Sequence, residues 1–246
     1  MTHARAARRR FGVAVIGALA LTAGAVGAAV PAATQERAPA LPAAATRAGA
    51  DFKAEHASGD AREIGNWIVA THDNQALPFV IIDKREAKVF VFDRAGSLLG
   101  AAPALLGIGR GDDSVPGIGQ RKLTTIRPEE RTTPAGRFQA SLGYDFEQDI
   151  LWIDYDAALS MHRVIVGNPK DRRAARLASP SAIDNRISYG CINVPATFYD
   201  TIVAPAFKGT VGIVYILPET RALEAVFALR RPSSVTDTAI AGTLGR

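Results

Sequence analysis

Two apolar runs, Phe79-Val80-Ile81-Ile82 and Lys88-Val89-Phe90-Val91-Phe92, stand either side of a short polar segment. Short runs of aromatic and β-branched residues broken by a polar turn predict a β-hairpin. Ala95-Gly96 marks a further turn before a strand over 97–102, and the same kind of run predicts strands over 136–142, 150–155, 160–166 and 210–217. A 3.6-residue spacing replaces the strand pattern in only a few places. Ile64, Trp67, Ile68 and Thr71 share one helical face, after Asp60-Ala61-Arg62-Glu63, which has the form of a capping box. Pro195 suits the first turn of a short helix over 195–203, and 219–230 reads as a C-terminal helix stopped by Pro232. Strands dominate, helices are peripheral and no βαβ alternation is present. The pattern therefore predicts a mainly β fold of mixed or sandwiched sheets and argues against a doubly wound one.

The flanks change the picture of where this domain works. Arg5, Arg8, Arg9 and Arg10 precede an apolar and small-residue run over 11–30, followed by small residues around Ala28 to Ala33. That order predicts a signal peptide over 1–33 and an exported protein of the periplasm or cell envelope. A retained anchor is the competing reading, because the run is long enough to span a bilayer. Residues 34–60 begin rich in Ala, Pro and Thr and are expected to be a flexible linker. The catalytic domain is placed at 61–220, with a C-terminal helix and tail over 221–246. The chain carries a net charge of +5 and a pI near 9.6. Removing the four arginines of the leader, which has no acidic residue, leaves +1. The basic balance thus belongs to the leader, and the domain has no global charge with which to hold nucleic acid. After leader removal no stable membrane insertion is expected.

Several motifs carry little. Gly107-Ile108-Gly109-Arg110-Gly111 resembles a phosphate loop but lacks the third spaced glycine and a following helix. Asp112-Asp113 has no ligand spacing behind it and reads as a solvated loop. His3, His56 and His72 stand far apart from one another, so no metal site is expected.

Cys191 is different. It is the only cysteine of the chain and lies in Ser188-Tyr189-Gly190-Cys191-Ile192-Asn193-Val194. An exported protein with one cysteine has no internal disulfide, so its thiol is unpaired. His162, in a predicted strand after Met161, is a candidate base. A thiol and a histidine that can reach it are the minimum equipment for nucleophilic acyl chemistry. An inert buried thiol and a structural strand histidine are the alternatives.

These residues resemble the active-site motif of the YkuD-type L,D-transpeptidases. In that family a histidine precedes a Ser/Thr-His-Gly-Cys-apolar-Arg/Asn run. Thr133-Pro134-Ala135-Gly136-Arg137-Phe138 is similar to a second family segment, and the hairpin over 79–92 to its opening strands. The resemblance covers about residues 78 to 218. It implies a YkuD-like fold with Cys191 as nucleophile and His162 as base. The carbonyl of Arg163 would orient the imidazole, and the N–H groups of Tyr189, Gly190 and Cys191 would converge on an oxyanion. Ser188 and Asn193 would shape the site. No cofactor is implied. The partners implied are peptidoglycan peptide stems acting as acyl donors, and a monomer is expected.

Two departures from the family pattern stand out. Tyr189 occupies the position of the motif histidine. The stretch from His162 to Cys191 is also longer than usual, and it holds Lys170, Arg172, Arg173, Arg176 and Arg186. A basic lid over the site and a solvated loop both fit that stretch. Hydrolysis of stems on the same scaffold and non-catalytic wall binding remain alternatives to transpeptidation, although a dead relative would be expected to lose Cys191 or His162.

Overall fold

The computed structural model describes residues 49–229. The predicted leader, the first part of the predicted linker and the end of the predicted tail lie outside the described residues. Helix α1 (Gly59–Thr71) comes first, followed by strands β1 (Phe79–Asp83), β2 (Lys88–Phe92), β3 (Leu98–Pro103) and β4 (Leu106–Gly107). Three 3-10 turns lead to β5 (Gly136–Asp145), β6 (Gln148–Asp154) and β7 (Leu159–Arg163). Helix α2 (Arg173–Leu177) precedes β8 (Arg186–Ser188) and β9 (Ile192–Val194). A broken helix, α3 (Ala196–Phe198), π-helical Tyr199–Val203 and α4 (Ala204–Phe207), leads to β10 (Val211–Ile216). The fold is mainly β. Eight strands form one mixed sheet in the order β3-β2-β1-β10-β5-β6-β7-β9, and β4 pairs with β8 in a small second sheet.

Alternation along the central strands explains why the sheet is covered on both faces. Val80, Ile82, Val89, Val91, Val214 and Ile216 share one apolar cluster with Phe198, Val203 and Phe207 of the broken helix. Their neighbours Phe79, Ile81, Phe90, Phe92, Ile213 and Tyr215 point the other way, onto Ile64 and Ile68 of α1. Strands buried on both sides read as unbroken apolar runs, which is the pattern that marks them in the sequence. The helix after β9 widens into π geometry just before Pro205. A proline there has no N–H to give to the carbonyl four residues back, and its ring would clash with that carbonyl.

Three expectations are corrected. The N-cap of α1 is Ser58, whose Oγ accepts the Ala61 N–H at 3.1 Å, and not Asp60. The ordered fold also begins before the expected end of the linker at 60. Asp51 bridges Ser97 beside the sheet, and Phe52 is buried among Phe90 and Phe92 with edge-on ring contacts at 5.3 and 5.0 Å. Finally, the helix expected over 219–230 is absent from the described part of that stretch. A single 3-10 turn (Leu223–Ala225) stands there instead, and Leu223 and Phe227 bury themselves in the α1-side cluster. Among the described residues no helix is long and apolar enough to cross a membrane.

Candidate active site

Strands β7 and β9 are parallel neighbours, with Met161 opposite Ile192 and His162 opposite Asn193. This pairing brings His162 beside the turn that carries Cys191, although 28 residues lie between them in the chain. The turn between β8 and β9 is tightly fixed. Gly190 has φ +132°, a backbone conformation that favours glycine, and a Cβ there would stand 2.7 Å from the Thr132 carbonyl oxygen. Ser188 Oγ accepts the Gly190 N–H at 3.1 Å and donates to the Cys191 carbonyl at 2.7 Å. Asn193 Nδ2 donates to the same carbonyl at 3.2 Å. Any use of the Gly190 N–H toward an oxyanion therefore has to displace Ser188 Oγ.

Thr133 ties this turn to the rest of the molecule. Its hydroxyl is fully buried, accepts the Gly107 N–H at 2.9 Å and donates to the Gly190 carbonyl at 2.7 Å. Beneath it lies a buried charge network. Lys84 Nζ donates to Asp112 Oδ1 and to the Thr133 carbonyl, both at 2.8 Å. Asp112 also accepts the backbone N–H groups of Glu219, Thr220 and Arg221. Arg186 Nη2 pairs with Glu219 at 2.6 Å. Asp112 is 3% exposed, which corrects its reading as part of a solvated loop. Asp113 beside it does face solvent. The sequence held no signal for this network, because its members are dispersed over more than 130 residues.

His162 is buried, and its Nδ1 lies 2.7 Å from the Arg163 carbonyl oxygen, leaving Nε2 for the pocket. The Arg163 side chain turns away, onto Asp149 and Asp200 at 2.9 and 2.6 Å. The ring of Phe146, from the tip of the β5–β6 hairpin, stands 5.4 Å from the imidazole. Burial lowers the His162 pKa below its ordinary value; the bond to the Arg163 carbonyl opposes this, and the charge of Arg173 adds to it. Burial raises the Cys191 pKa, against hydrogen bonding from Ser160. The thiol is 3.6 Å from Ser160 Oγ and 3.5 Å from the Ala158 carbonyl oxygen. Burial thus favours the neutral form of each group, thiol and imidazole. Ser160 escaped the sequence analysis because a serine inside a strand carries no motif.

A cavity of about 460 Å³ opens over these groups. It is lined by His162, Ser160, Ser188, Tyr189, Gly190, Cys191 and Asn193, with Phe146, Trp152 and Ile118 among its apolar walls. Tyr189 forms part of the wall and holds its ring under the Arg131 guanidinium, 3.9 Å from the centroid. The stretch between β7 and β9 is mostly exposed, but it is not structureless. It folds into a 3-10 turn and α2, with Arg176 bonded to the Asp171 and Asp184 carbonyls at 2.7 Å and Arg186 buried in β8. Only Lys170 and Arg172 of its basic residues are well exposed. Among the described residues no group of three His, Cys, Asp or Glu side chains is arranged to hold a metal ion.

Solved structures this chain is similar to include L,D-transpeptidases and a cell shape protein. The catalytic domain of the Enterococcus faecium L,D-transpeptidase is 17% identical, with 57% of this chain and 96% of that chain covered and a TM-score of 0.35. An L,D-transpeptidase from Xylanimonas cellulosilytica is 15% identical over 57% of this chain and 60% of that one, with a TM-score of 0.35. The helical cell shape determining protein Pgp2 from Campylobacter jejuni is 12% identical over 59% and 49%, with a TM-score of 0.39. The chain spans about half the length of the Pgp2 structure and of a longer Enterococcus faecium L,D-transpeptidase structure. No family model and no curated protein matches the sequence.

Proposed function

We propose that this protein is a cysteine acyltransferase of the cell envelope, a peptidoglycan L,D-transpeptidase acting on tetrapeptide stems. The observation that supports this most is the pairing of β7 with β9. It sets a buried histidine, oriented through Nδ1 by its neighbour's carbonyl, beside an unpaired thiol at the floor of one cavity. In the reaction, Cys191 Sγ leaves Ser160 and attacks the carbonyl carbon of the stem amide while its proton passes to His162 Nε2. The tetrahedral intermediate collapses, the C–N bond breaks, and the imidazolium returns the proton to the departing amine. A second amine then attacks the thioester, gives its proton to His162 and releases the thiol. Water in place of that amine gives hydrolysis.

The experiment is to incubate the purified protein with disaccharide tetrapeptides and follow products by mass. Loss of the terminal residue together with formation of crosslinked dimers is expected. Monomeric tripeptide alone would assign the hydrolase. No product, with no acyl adduct on Cys191, would overturn the proposal.

A further inference from the structure

One cation reaches the cavity with bonding capacity to spare. Arg173, from the first turn of α2, lines the cavity beside His162 and Asn193. Its Nε donates to Asp171 Oδ2 at 3.2 Å and its Nη1 to Asn193 Oδ1 at 3.1 Å. Asn193 in turn donates to the Cys191 carbonyl, so Arg173 sits two hydrogen bonds from the nucleophile's own backbone. Nη2 has no partner among the described residues. The other arginine of the lining, Arg121, is already gripped by both oxygens of Glu130, at 3.0 and 3.2 Å, and by the Thr125 carbonyl. The side chain of Arg173 is 17% exposed, and Asp171 and Asn193 each hold its guanidinium. A guanidinium held at two points with unused N–H donors is pre-organised for a carboxylate, and more of its binding energy is kept because less side-chain freedom is lost.

We infer that Arg173 is a specificity-determining residue that binds a free carboxylate of the acyl donor close to the scissile bond. The inference rests on the acyl-transfer reading above and narrows its substrate class to peptides with an unblocked carboxylate at that end. The segment that carries Arg173, 164–185, would then be the part of the chain that chooses the donor, while β7 and β9 supply the chemistry.

Binding can be tested without turnover. The full chain carrying Cys191→Ala is titrated by NMR with Nα,Nε-diacetyl-L-lysyl-D-alanine and, separately, with its C-terminal amide. With Arg173 present, the acid is expected to bind about tenfold tighter than the amide or better. Arg173→Gln keeps a donor for Asn193 and removes the charge, so acid and amide should then bind alike. Arg173→Lys should recover part of the preference. Equal affinities with Arg173 present, a preference that survives Arg173→Gln, or failure of both probes to bind would each overturn the inference. Turnover of muropeptides by the Cys191 protein is a separate measurement. Crosslinking without acid-over-amide preference sinks Arg173 alone, and carboxylate preference without acylation sinks the enzyme reading alone.

Discussion

The hydroxyl of Thr133 serves two backbone groups at once, the Gly107 N–H and the Gly190 carbonyl. Thr133→Val keeps the shape and removes both partners. Each buried backbone group left unsatisfied costs about 1–3 kcal/mol, so the variant should lose roughly 2 kcal/mol or more in urea unfolding. Thr133→Ser, with the hydroxyl kept, should recover most of that stability. A valine variant as stable as the parent would show that the contact carries no load. The thiol gives a second test at this scale. Burial raises the Cys191 pKa and Ser160 opposes the rise, so iodoacetamide alkylation should have its midpoint above the ordinary thiol value of about 8.5. Ser160→Ala should move that midpoint higher still. A midpoint well below the ordinary value would instead mean a thiolate stabilised by imidazolium. The third residue is Tyr189, whose ring packs under Arg131. Tyr189→Phe keeps the ring and the backbone donor and should retain most of the acylation rate. A thousandfold loss, about 4 kcal/mol, would make the hydroxyl part of the chemistry.

Among the elements, legibility followed length. β1, β2 and β10 are visible as apolar runs because both of their faces are buried, and β7 has the same burial, whereas β5 and β6 are only partly buried. β8 and β9 have three residues each. A run that short shows no period, yet β9 is the strand that brings Cys191 to His162. The cysteine motif located the site where strand periodicity was silent, and the pairing explains why the motif works. The cap of α1 failed for a local reason. Asp60 has the right side chain, but Ser58, two residues earlier, also donates to Asp83 Oδ2 at 2.5 Å and so ties the helix start to the end of β1. Ser58→Ala should cost about 1 kcal/mol through the cap alone, read as a lower urea midpoint. Asp60→Ala should cost less, its visible contact being an exposed pair with Arg85. The C-terminal helix was misread because the apolar spacing of Leu223 and Phe227 serves docking onto the α1 face just as well as helical periodicity.

For the described domain as a whole, Lys84, Asp112, Arg186 and Glu219 join the end of β1, the loop after β4, strand β8 and the segment after β10. Burial raises the Asp112 pKa, but the bonds from Lys84, Thr220 and the Glu219 backbone outweigh it and hold the carboxyl below its ordinary value. A carboxyl depressed in the folded state binds protons more readily when unfolded. Its stabilisation is therefore fully present above about pH 4 and declines as pH falls toward the folded value. Acid titration of the parent should show a loss of stability below about pH 4 that is smaller in Asp112→Asn. That variant should also be less stable at neutral pH, by up to about 3–5 kcal/mol, because buried Lys84 loses its nearest carboxylate and keeps only Glu219, at 3.8 Å. An unchanged acid limb in Asp112→Asn would place the acid sensitivity elsewhere.

Parallel neighbours in a sheet cannot be joined by a tight turn; the chain must leave one strand end and travel back to the start of the other. Here the base stands on one such strand and the nucleophile just before the other, so an excursion between them is obligatory, and in this molecule it gives Asn168, Asp171 and Arg173 to the lining of the cavity. The length and content of that excursion are free of the register between His162 and Asn193. Its exposed residues, Lys170 and Arg172 among them, form an exchangeable cassette, while Arg173 and Arg186, bonded to Asn193 and Glu219, are fixed parts of the site.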